Sequence, residues 1–285
     1  MRKLLTLIAS IAILSFTACS TGGATPSGKS GLEGTKVSTY LVGEYIDAKS
    51  AQSKLEAAGF EVLASYSSVK KGTTLVFTSA ALKTEGAKPG RSYAAVSRLF
   101  VDEKNKTISF SNPVYFGKAF MQDEYNHTVF NGILEKINTA FPGLKGSADK
   151  LDYDALAGYH FMMGMPYYDD QDKLGKLNAT TADAVAKAKA YKKAKAIIFE
   201  LKLSDTSTLL GYDIGKRTKK FVKKIGRANA AVLPWCVSIE NGQAKSLNAK
   251  YYIALSYPLL DMGGFMGIAT VPGAITKDLE KAFKK

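Results

Sequence analysis

The chain has 285 residues, 46% of them hydrophobic and 22% charged, which excludes a disordered polymer and leaves room for one large core or two ordinary ones. Two cysteines exclude a disulfide-rich scaffold. The formal net charge of +14 gives the chain a field that attracts anions.

In chain order, Arg2 and Lys3 precede an apolar run from Leu4 to Leu14, followed by Ser15-Phe16-Thr17-Ala18-Cys19. A charged start, a short apolar stretch and small residues read as a secretory signal over residues 1–19, too short for a spanning helix. Thr17-Ala18-Cys19 resembles the end of the bacterial lipobox. That resemblance implies cleavage before Cys19 and acylation of it, with Ser20 behind it favouring the outer membrane of a diderm. Cys236 is then the one thiol left, and stability must come from packing. Residues 20–36 are rich in Gly, Ser and Thr and form a flexible tether reaching on the order of 20–25 Å.

A first unit is expected over residues 37–143. Val37 to Tyr45 reads as a strand, and Asp47 caps a helix whose face is Ala48, Ala51, Leu55 and Ala58 and which Gly59 ends. Phe60 to Tyr66 and Thr73 to Thr78 read as strands joined at Lys70-Lys71-Gly72. After a loop over 83–92, Ala94 to Val101 and Lys106 to Ser111 form a hairpin, and a helix from Thr128 to Phe141 stops at Pro142-Gly143.

Residues 144–158 read as a polar connector, and a second unit over 159–285 follows the same order. Its elements are a strand from Tyr159 to Tyr167, a helix capped at Thr180 or Thr181 and running to Lys193, and strands Ala196 to Leu203 and Thr208 to Ile214. Strands Ala230 to Ile239 and Ala244 to Ser256 then turn at Asn241-Gly242, and a helix from Thr270 to Phe283 closes the unit. The echo is visible in residues: Ala94-Ala95-Val96 against Ala230-Ala231-Val232, and Ser111-Asn112-Pro113 against Ser256-Tyr257-Pro258. The fold class expected is α+β, two tandem β-α-β4-α units with antiparallel sheets and helices on one face. This element order resembles the fold class of the TATA-box-binding protein, a likeness of architecture that implies nothing about DNA.

Val232-Leu233-Pro234-Trp235-Cys236-Val237-Ser238-Ile239-Glu240-Asn241-Gly242, followed by Ser256-Tyr257-Pro258, is similar to the pattern of the domain of unknown function 302 family. Gly59-Phe60-Glu61-Val62, Leu75-Val76-Phe77 and Ser111-Asn112-Pro113-Val114-Tyr115 look like its other hallmarks. The likeness implies a fold and brings no activity with it.

Residues 158–285 carry 21 basic against 11 acidic residues. The densest run supplies Lys216, Arg217, Lys219, Lys220, Lys223, Lys224 and Arg227, with Phe221, Val222 and Ile225 forming an apolar edge at helical spacing. It suits an anionic lipid surface or an acidic partner, joined by lysines 187–195, or else a solvated loop whose apolar residues enter the core. Tyr251, Tyr252 and Tyr257, on one expected strand opposite Tyr40 and Tyr45, could face a small apolar ligand or simply fill the core. Cys236 is either a sulfur or redox centre or a small buried residue. His160, Met162, Met163 and Met165 offer soft-metal atoms, but alternation divides them between two strand faces. No catalytic triad, phosphate loop or zinc spacing is present in the sequence, and no cofactor or nucleic-acid partner is expected.

The chain therefore reads as a lipid-anchored, periplasm-facing envelope protein that binds a ligand or partner without catalysis. The alternatives are a basic membrane-surface module and a sulfur-handling enzyme using Cys236.

Overall fold

The computed structural model describes residues 30–284. The signal segment, Cys19 and the tether as far as residue 29 lie outside the described residues. The expected first strand is divided into β1 (Lys36–Ser38) and β2 (Tyr40–Glu44). At the break, the Thr39 N–H donates to Asp149 O and its carbonyl accepts from Asn112 N–H, so the chain leaves one ladder to enter another. Helix α1 (Ala48–Ala57) starts where the Asp47 carboxylate accepts the Lys49 and Ser50 N–H groups at 3.0 Å, and buries Ala51 and Leu55. Strands β3 (Glu61–Val69) and β4 (Gly72–Thr78) follow, then a short helix α2 (Ala80–Gly86) that the sequence did not announce.

The hairpin β5 (Ser97–Asp102) and β6 (Thr107–Ser111) leads into α3 (Pro113–Met121) and α4 (His127–Ala140). Asn112 accepts the Val114 N–H at 3.0 Å, and Pro113 sits in the first turn, where its missing N–H does no harm. The expected connector supplies β7 (Lys145–Gly146), which pairs with β2, and β8 (Lys150–Asp152), which pairs with β1.

The second half differs from expectation in several places, among them Ala230 to Val232, expected to begin a strand, which lie in a 3-10 turn over Arg227–Val232. Tyr159 to Tyr167 is irregular, turning at Gly158 (φ 76°) and Gly164 (φ 80°), and the strand in its place is the two-residue β9 (Asp172–Lys173). Helix α5 (Thr181–Ala190) carries a Thr180–Asp183 capping box, and β10 (Ile197–Lys202), β11 (Ser207–Tyr212), α6 (Phe221–Ile225) and β12 (Trp235–Glu240) follow. The run from Ala244 to Ser256 is the short β13 (Gln243–Ser246) and then helix α7 (Ala249–Ser256), capped by Asn248, which accepts the Lys250 N–H at 3.0 Å. A segment buried on every side has no polar face to reveal its period, so strand and helix look alike in sequence. Helices α8 (Met262–Gly267) and α9 (Val271–Glu280) complete the chain.

The architecture is α+β, and its sheets are antiparallel. The first sheet has the order β3-β4-β5-β6-β2-β7 and the second β10-β11-β12-β13-β9. Apart from β7, the two orders correspond strand for strand. The β-α-β4-α scheme is nevertheless too simple, because helices also interrupt the middle of each half and follow each second hairpin.

One face of the first sheet meets α1 and α4. Phe60, Phe77, Phe110 and Phe141 run through this layer edge to face, with successive centroids 5.0, 6.1 and 4.8 Å apart. The opposite face turns to the second half. Along β5, Leu99 and Val101 point one way while Arg98, Phe100 and Asp102 point the other. Arg98 reaches Cys236 on β12, and Asp102 reaches Arg227. The face opposite α1 and α4 is therefore the seam between the halves.

Two equivalent loops stitch that seam. Gly90-Arg91 precedes Ala94-Ala95-Val96, and Gly226-Arg227 precedes Ala230-Ala231-Val232. Both glycines have positive φ, 74° and 149°, a conformation that side chains resist. The Gly90 N–H donates to Glu240 on β12 at 3.0 Å, and Arg227 donates to Asp102 on β5.

Candidate anion-binding cleft

The basic run enters its site under two constraints. Asp278 on α9 accepts from the Gly215 N–H at 3.0 Å and from the Thr218 hydroxyl at 2.5 Å, which fixes where the run begins. Phe221 and Val222 are buried, so the apolar side of α6 is spent on the core. The expected apolar edge facing a membrane is absent here, and the cations project instead.

These cations meet others from the first half across a cleft of about 840 Å³. The β3–β4 turn supplies Lys70 and Lys71, the β5–β6 turn supplies Lys104, and the basic run supplies Lys216, Lys219, Lys220, Lys223 and Arg227. Lys71 takes a positive φ of 55° at its turn. Ser67, Ser68 and Val69 complete the wall.

Two of the cations are tied down. Lys219 donates to Asp213 at 2.7 Å and to the Tyr66 hydroxyl at 3.0 Å, while Tyr66 donates to the same carboxylate. Burial, and then Asp213, push the Tyr66 phenol far up, so it stays protonated. Arg227 brackets Asp102, which is buried, with its Nε 2.9 and 3.0 Å from the two carboxylate oxygens, and donates to Lys71 O at 2.6 Å. The other six, Lys70, Lys71, Lys104, Lys216, Lys220 and Lys223, are exposed and form no ion pair among the described residues.

The remaining expected residues fall elsewhere. Arg217 and Lys224 do not line the cleft, and Lys224 donates to Gly267 O on α8. None of the lysines at 187–195 reaches it, and Lys189 pairs with Glu200.

Tyr251, Tyr252 and Tyr257 are core residues, and the strand expected to carry them is replaced by α7 and the turn after it. The Tyr251 hydroxyl donates to Ala119 O, Tyr252 packs edge-on against Trp235 at 5.0 Å, and Tyr257 lies against Phe221. Tyr40 is buried as well and donates to Ser256 O, while Tyr45 lies beneath Lys106. No open surface is lined by this set.

Cys236 is buried at the seam, and its Sγ accepts from Arg98 Nη2 at 2.9 Å. Burial pushes the thiol up and Arg98 pulls against it, with burial prevailing. The void beside it is about 10 Å³, room for one water, so no solute reaches the sulfur. His160 packs on Tyr167 at 4.4 Å while Met163 is 94% exposed, so this stretch does not gather into a ligand set.

Sequence reasoning found the 216–227 arm of the cleft. Lys70 and Lys71 read as a turn, and nothing local marks Lys104, since convergence of three loops is tertiary. No protein-family model, curated protein or solved structure matches this chain.

Proposed function

We propose that this chain is a lipid-anchored protein of the bacterial cell envelope that acts by binding, not catalysis, and that the lysine cleft holds its anionic ligand or partner. One observation carries the reading: six lysines without ion-pair partners converge on one concave site. Like charges gathered this way repel one another, and an anion that enters relieves the repulsion. The envelope location rests on the signal and lipobox-like residues ending at Cys19, and residues 20–36 would tether the folded part close to a bilayer.

Thermal denaturation of the full chain in low-salt buffer tests the binding reading. Tripolyphosphate should raise the midpoint, and Lys220→Gln with Lys223→Gln should abolish most of that rise. An unchanged midpoint in the parent protein counts against an anion site.

A second reading, contact with the bilayer surface itself, has its own support. Leu259, just before α8, and Met262 and Met266 on it are 65%, 46% and 67% exposed, and Lys224 joins α8 to α6. Exposed apolar side chains beside cations are the pattern of an interfacial contact.

A further inference from the structure

The charge of the cleft and the chemistry of its walls specify more than an anion. We propose that the cleft takes a ligand carrying at least two phosphate groups and that both halves of the chain grip it together; this rests on the anion-binding reading above.

Lysine, not arginine, supplies all six unpaired cations. A compact ammonium serves phosphate oxygens as a point charge, whereas the planar arginine fork clasps carboxylate and phosphate alike. A wall with no free fork therefore selects by density of charge, which clustered phosphates supply. The one arginine in the wall, Arg227, is already occupied by Asp102.

The number of charges sets the number of phosphates. Lys219 and Arg227 are neutralised by Asp213 and Asp102, which leaves six cations. At roughly −1.5 to −2 per phosphate monoester near neutral pH, about three to four groups balance them, and more where each phosphate carries a single charge. A single small anion leaves most of the field uncompensated. The six come equally from the two halves, Lys70, Lys71 and Lys104 from the first and Lys216, Lys220 and Lys223 from the second, so a ligand that satisfies them spans the seam.

The walls add selectivity. Ser68 is buried and accepts from Thr74 at 3.0 Å, which leaves Ser67 as the exposed hydroxyl of this wall. Val69 and the lysine stems give the wall apolar carbon. A volume of about 840 Å³ lies within the range of small-molecule sites and accommodates a phosphorylated sugar or glycerol skeleton. No aromatic residue lines the cleft among the described residues, so nucleic acid finds no stacking platform for its bases.

Clustered phosphates could be presented by a lipid headgroup or by a soluble polyphosphate, and the test separates these sources. The full chain in neutral detergent is titrated calorimetrically at low salt with tripolyphosphate, pyrophosphate, orthophosphate and citrate. In a second arm its flotation is followed with vesicles containing cardiolipin, or phosphatidylglycerol at equal surface charge. Tripolyphosphate should bind at least about tenfold more tightly than citrate, and Lys104→Gln and Lys220→Gln, one in each half, should each weaken it by about two- to fivefold, the range of single exposed ion pairs. Preference for cardiolipin identifies the lipid source, and binding confined to the soluble arm identifies the other; both support the proposal. Citrate binding as tightly as tripolyphosphate overturns the phosphate assignment while leaving an anion site in place. An effect from Lys220→Gln with none from Lys104→Gln overturns the two-sided grip. Absence of binding by every anion removes the underlying reading as well.

Discussion

Tyr115 and Tyr251 reach across the seam between the halves in opposite directions, each donating to a carbonyl of the helix that carries the other. Tyr115 on α3 donates to Leu255 O on α7 at 2.8 Å, and Tyr251 on α7 donates to Ala119 O on α3 at 3.3 Å. Each acceptor lies four residues beyond the tyrosine of its own helix, in the last turn, where carbonyls lack helical partners. Equivalent residues thus satisfy one another, as expected about a local two-fold axis. Arg98 and Cys236, each the second residue of its strand, touch in the same way.

The two tyrosine bonds should not contribute equally. Ala119 O also accepts from Gln122, whereas Tyr115 is the side-chain donor to Leu255 O. Tyr115→Phe is therefore expected to lower stability by about 1–2 kcal/mol and Tyr251→Phe by about 0.5–1 kcal/mol, read from urea midpoints. A larger loss from Tyr251→Phe contradicts the assignment.

Arg98 and Cys236 make an asymmetric prediction. The guanidinium is buried, has no carboxylate partner, and its Nε is without an acceptor. Cys236→Ala removes its sulfur acceptor and should cost about 3 kcal/mol. Arg98→Met replaces the buried cation with an apolar side chain and should cost no more than about 1 kcal/mol. Chemical denaturation of both variants and of the pair gives the order, and the double variant should be more stable than Cys236→Ala alone.

Asp278 links the cleft to acid stability. Burial pushes its carboxyl up, but Lys281, Thr218 and the Gly215 N–H outweigh burial and hold it below its ordinary value of 3.8. The folded value is depressed, so the contribution is complete above about the ordinary value and fades as pH falls through the lower folded one. Asp278→Asn should cost about 1 kcal/mol at pH 7 and lose less stability than the parent on going to low pH. Parallel acid-unfolding curves for the two proteins argue against this role.

The anchor is tested apart from the cleft. Cys19→Ala should move the chain produced in a bacterial host from the detergent phase to the aqueous phase on detergent partitioning, because acyl chains hold by burying methylenes, at about 0.8 kcal/mol each. Aqueous partitioning of the parent protein rules out acylation.

Local signals in the sequence were accurate where a single residue decides the backbone. Asp47 and Thr180 cap helices, Gly59 (φ 82°) ends one, and Asn241-Gly242 turns the second hairpin. The repeat was visible in Ala94-Ala95-Val96 and Ala230-Ala231-Val232, but matching Ser256-Tyr257-Pro258 to Ser111-Asn112-Pro113 set its register wrongly. The counterpart of the cap Asn112 is Asn248, which lacks a following proline. In the correct register Tyr251 and Tyr252 belong to helix α7, the counterpart of α3. The cleft was half legible, since a run of cations declares itself in sequence and the loops that come to face it do not.

The most direct test of the central claim is a crystal of the full chain soaked in tungstate, a tetrahedral dianion with strong anomalous scattering. Two or more tungsten sites are expected in the cleft, within hydrogen-bond reach of lysines from both halves, Lys104 and Lys220 among them. A cleft empty of tungsten, with sites only at other surface lysines, contradicts the account.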